Sequence, residues 1–126
     1  MALKFRKKVI LGKIESVYGT DPTPAGSTDA ILCRNVEITP LQGETETRDL
    51  VRSNIGAQQV IHVGTHVGIT FEVEMAGAGA AGTAPAYGPL LRACALSQTI
   101  SAGVSVVYAP IDASEESVTL HFFIDG

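Results

Sequence analysis

Ten consecutive residues, His66–Met75, alternate without a break. Val67, Ile69, Phe71, Val73 and Met75 fall on one side, and His66, Gly68, Thr70, Glu72 and Glu74 on the other. Side chains on a strand point to opposite faces with period two, so this stretch is predicted as a half-buried β-strand. A run of small residues, Ala76–Ala84, follows it. Pro85–Leu96 then carries the one helical pattern of the chain. Pro85 and Pro89 fit only at or before a first helical turn, where the missing N–H is not needed. The helix is therefore expected over 89–96, with Leu90, Leu91, Cys94 and Leu96 as its buried stripe.

The remaining segments extend the β reading. Ala30–Thr39 reads as a strand with Leu32, Arg34, Val36 and Ile38 on one side, ended by Pro40. Leu41-Gln42-Gly43 reads as a turn, and Gly19–Ser27 and Ser53–Gln59 read as loops. Val60–Val63 leads into the alternating strand, Val104–Tyr108 is a short β-rich run, and Ser117–Ile124 is a last strand with Val118, Leu120, Phe122 and Ile124 inward. Asp125-Gly126 is a hairpin-turn signal with nothing after it, as expected of a fragment or of a last strand that pairs elsewhere. Five or six strands without intervening helices predict a mainly β fold, an antiparallel sandwich or barrel with one short flanking helix. The predicted organisation is a basic arm over 1–13, able to pair as a strand, followed by one domain over 14–126.

Charge is unevenly placed. Lys4, Arg6, Lys7, Lys8 and Lys13 put five positive charges in the first 13 residues. The rest carries four arginines against all 13 acids, a net of −9. A body this negative does not suit duplex-DNA binding, which needs a basic face. The leader suits nucleic acid, a membrane surface, or the acidic body of another copy, and the last partner is supplied by the chain itself. Glu44, Glu46, Arg48, Asp49 and Arg52 alternate in sign, the pattern of a solvated face or of an interface held by complementary charges. No apolar run approaches the roughly 20 residues that span a bilayer, and Val9-Ile10-Leu11 is too short for a signal-peptide core. Synthesis in a cytoplasm is expected, where Cys33 and Cys94 read as two buried free thiols.

Candidate chemistry is thin. Gly77, Gly79 and Gly82 match the dinucleotide fingerprint G-x-G-x-x-G between a strand and a helix. The context fails, because Pro85 and Pro89 separate the third glycine from the helix and no acid lies about 20 residues on to read a ribose. His62 and His66 are four apart on a strand, about 13 Å, too far to share a zinc ion. Glu72 and Glu74 are about 7 Å apart on one face, a spacing for sugar hydrolysis, but no aromatic platform accompanies them. No catalytic group, cofactor site or metal site is predicted.

Three stretches carry a resemblance: Lys13–Pro24, Val36–Gly43 with Arg48–Arg52, and above all Gly82-Thr83-Ala84-Pro85-Ala86-Tyr87-Gly88-Pro89-Leu90-Leu91-Arg92-Ala93-Cys94. Together they resemble the tail tube proteins of long-tailed, non-contractile bacteriophages. The resemblance implies a β-sandwich or barrel with one flanking helix, hexameric rings stacked into a hollow tube, a tape-measure protein and other tail proteins as partners, and a lumen that conducts DNA. Members of that family are often longer than this chain, which accords with the unfinished hairpin. A negative body suits a conduit along which DNA slides. The contacts between copies are expected at Lys4, Arg6, Lys7 and Lys8 of the leader, at Glu44, Glu46, Arg48, Asp49 and Arg52, and at Tyr87. Other expectations compete with this one: a head–tail joining or tail-end protein, a small β-sandwich module for carbohydrate or another ligand, and a nucleotide-binding enzyme. Three Tyr, four Phe and no Trp are a thin supply for sugar stacking.

Overall fold

The computed structural model describes residues Lys7–Ile124. It is mainly β, with 48% strand and 5% helix, antiparallel sheets and one short helix. Seven strands run in the order β1 (Lys8–Ile14), β2 (Ala30–Ile31), β3 (Cys33–Thr47), β4 (Val60–Val73), then helix α1 (Gly88–Ala93), β5 (Leu96–Ser101), β6 (Ser105–Pro110) and β7 (Val118–Ile124). They form three sheets: β2-β1-β7, β3-β4 and β5-β6. The chain divides into two compact units, one holding the residues up to Arg34 and from Val73 onward, the other Asn35–Glu72.

The first unit is built on β1. This strand pairs antiparallel with β7 along its whole length, from Lys8 opposite Ile124 to Ile14 opposite Val118. On its other edge Ile10 and Leu11 face Ile31 and Ala30 of β2. Ile10 and Leu11 are 2% and 5% exposed and Ile31 is 5% exposed. Adjacent residues of a strand point to opposite faces, so burial of both Ile10 and Leu11 means that β1 is covered on both sides. The helix packs on β1, β5 and β7. From Lys8 onward the basic leader is paired, as the middle strand of the β2-β1-β7 sheet. Hydrophobicity at Val9-Ile10-Leu11 outweighs the flanking charge.

The helix starts at Gly88 and ends at Ala93, earlier than its apolar pattern suggests. Cys94 closes it by donating its N–H to the carbonyls of Leu90 and Leu91. Ala95 then takes a left-handed backbone, φ 59°. That conformation ends a helix, so Leu96 opens β5 opposite Pro110 instead of completing a helical stripe. The thiol of Cys94 is exposed. Cys33 is half-buried, and burial pushes its thiol pKa up.

The glycine run has a packing reason. Gly82 has φ +71°, and a Cβ there would stand 2.5 Å from the Ser101 carbonyl oxygen and collide with the Gly103 nitrogen. The loop lies directly on the β5–β6 turn, and only glycine permits that approach. The helix opens six residues beyond Gly82.

The second unit is a two-stranded ribbon. β3 runs for 15 residues through Pro40 and Gly43, where the chain pattern predicted a stop and a turn. A two-stranded ribbon leaves half the N–H groups of each strand without a ladder partner, so a proline at such a position removes no bond. β4 runs for 14 residues, and Gly64 within it takes a left-handed backbone, φ +62°. The half-burial predicted for the alternating face holds only toward one end. Ile69, Phe71 and Val73 are half-buried, whereas Val67 is 59% exposed. Met75 lies beyond the strand and is exposed.

Candidate assembly interface

The ribbon exposes what a lone domain would cover. Val60, Ile61, Val63 and Leu41 are all exposed, as are Leu50, Val51 and Ile55 in the connection between the strands. Residues 37–67 include only two that are even half-buried, Ile38 and Gln58. Two strands bury too little to be stable alone in water. Among the described residues the sheet has two strands, so each also has an outer edge that no third strand covers, a template for another strand.

The connection between the strands, residues 48–59, is closed at its base. The N–H of Arg48 donates to the Gln59 carbonyl at 3.0 Å, and the Gln58 side-chain amide donates to the Leu50 carbonyl at 3.1 Å. The charged residues predicted at contacts gather here. Glu44 and Glu46 lie on the last stretch of β3, and Arg48, Asp49 and Arg52 lie in the connection, all exposed. Arg48, Asp49 and Arg52 make no ion pair among the described residues. The aliphatic neighbours Leu50, Val51 and Ile55 carry no pattern of period two or 3.6, so sequence periodicity passes over them.

Tyr87 and the leader belong to the other unit. Tyr87 precedes the helix and is half-buried, with its carbonyl accepting the N–H groups of Leu90 and Leu91. It lines an apolar cavity of about 240 Å³ together with Ile31, Val73 and Pro85. Lys7 is exposed, and Lys8 is held in the sheet opposite Ile124. Lys4 and Arg6 lie outside the described residues. The predicted contact residues among those described thus fall into two groups, one on each unit.

A third feature ties a loop to β7. The Glu15 carboxylate accepts hydrogen bonds from the hydroxyls of Ser117 and Thr119, both at 2.6 Å, and from the Gly19 N–H at 2.8 Å. These bonds hold its pKa below the ordinary carboxylate value, the Ser117 hydroxyl contributing most. His121 Nε2 lies 3.1 Å from Asp21 Oδ2, and its ring meets Phe123 edge-on. Arg92 of the helix grips Glu116 with two parallel hydrogen bonds. The segment between β1 and β2 is thereby strapped down, leaving Val17 and Tyr18 exposed.

His66 Nδ1 lies 2.9 Å from the carbonyl of Gly64. Among the described residues no group of three or more His, Cys, Asp or Glu is placed to hold a metal ion, and no helix is long and apolar enough to cross a membrane. Comparison of the chain with protein-family models, with curated proteins and with solved structures finds no match.

Proposed function

We propose that this chain is a structural virion protein that assembles with copies of itself into stacked hexameric rings, the tail tube of a long-tailed bacteriophage. The observation that carries the reading is the Asn35–Glu72 ribbon, two-stranded among the described residues, with its aliphatic side chains in solvent. A strand edge of this length is completed most directly by the edge of a like strand, which adds main-chain hydrogen bonds and buries the exposed face at once. A ring of such ribbons has no free edge. The net charge of −9 on residues 14–126 suits a conduit through which DNA passes without sticking. In this reading the protein is made in the host cytoplasm, resides in the virion tail, surrounds a tape-measure protein and meets other tail proteins at the tube ends.

The test is negative-stain electron microscopy with analytical ultracentrifugation across a concentration series. Tubes or stacks of rings are expected, with a sedimentation coefficient that climbs with concentration. Single closed rings that never stack would favour a joining or tail-end role. Monomers at every concentration and salt would remove the assembly reading.

A further inference from the structure

We propose that the aliphatic tip of the 48–59 connection in one copy seats in the apolar cavity bounded by Ile31, Val73, Ala76, Pro85 and Tyr87 of another copy. This rests on the self-assembly reading and names the surfaces that meet. Val51 and Ile55 are 106% and 110% exposed, as open as in an isolated peptide. The hydrogen bonds at Arg48 and Gln58 hold the base of the connection, so its tip is presented rather than free to collapse. The receiving cavity is about 240 Å³ with mainly apolar walls. Sites for small molecules run to about 300–1,000 Å³ with several convergent polar groups. This one is smaller and offers a single carboxylate, Glu74, so it suits one or two branched aliphatic side chains.

Charge favours the tip of a second copy as the occupant. Arg52 adjoins Val51, Glu74 borders the cavity, and neither makes an ion pair among the described residues. Seating Val51 brings the two charges together. Tip and cavity are different surfaces, so the contact is head-to-tail and repeats into a ring or an open stack.

The experiment uses the full chain with Cys33→Ser and Cys94→Ser. Ile55→Cys and Ala86→Cys are introduced separately, and the two proteins are mixed, assembled and oxidised. A disulfide-linked dimer is expected from the mixture, with at least tenfold less from either protein alone or from Ile55→Cys mixed with Ala113→Cys. In the native background, Val51→Asp with Ile55→Asp is expected to leave the far-ultraviolet circular dichroism unchanged and to raise the concentration for assembly at least tenfold. Assembly at the wild-type concentration by that double variant, or an equal crosslink to residue 113, overturns the contact while the assembly reading stands. A wild-type protein that never assembles removes both. Displacement of a small apolar probe from the cavity without any crosslink also overturns it, in favour of a ligand pocket.

Discussion

Glu15 shows how one side chain holds a segment that has almost no core of its own. Its carboxylate collects two hydroxyls and a backbone N–H, all of which bind the charged form better than the neutral one. The pKa is depressed in the folded state, so the contribution to stability is fully present above the unfolded value and is lost as the pH falls through the folded value. The wild-type protein should therefore lose stability on acidification below the ordinary carboxylate range more steeply than Glu15→Gln, and should be the more stable of the two at neutral pH. Melting temperatures followed from pH 7 into acid check both halves of the expectation. Nothing about Lys13-Ile14-Glu15-Ser16 marks this glutamate in sequence, because Ser117 and Thr119 lie more than 100 residues away. Tyr108 is similar: its hydroxyl is buried beside Gly88 without a hydrogen-bond partner among the described residues, and burial raises its pKa.

Among the elements, β1 carries the most. Of the described residues, its Ile10 and Leu11 are two of the three hydrophobic side chains that are buried outright. Truncating a buried leucine costs about 2–5 kcal/mol through lost transfer energy and the cavity left behind. Leu11→Ala should cost that much in urea unfolding followed by circular dichroism, whereas Leu41→Ala on the exposed ribbon should stay within about 0.5 kcal/mol for the unassembled chain. The helix was legible from its two prolines and leucines, but its end was set by Ala95 turning left-handed toward β5, whose pairing with β6 has no strong alternation to announce it. The strand through Pro40 was hidden for the opposite reason. A proline normally ends a strand, and a two-stranded ribbon can carry one where its nitrogen faces away from the partner strand.

At the scale of the molecule, core is what the chain has least of. Three buried hydrophobic side chains among the described residues are a small core for 126 residues. Association that covers the ribbon should supply what the core lacks, and any species that binds only the folded chain stabilises it by mass action. The thermal midpoint should accordingly rise with protein concentration, by several degrees over a hundredfold range in calorimetry. A midpoint independent of concentration would mean that the isolated chain is already complete.

The sequence by itself determined the β character, the position of the single helix and the strands at Val60–Val73 and Val118–Ile124, because period two and proline placement are local properties. It also determined the charge asymmetry. Tertiary structure alone decided that the basic leader contributes the central strand, that β3 continues to Thr47, and that the alternating face of β4 is half-buried only near Val73. The physical reason is that alternation states which side chains share a face, while burial depends on whether another layer lies over that face, and here the covering layer is not within Asn35–Glu72.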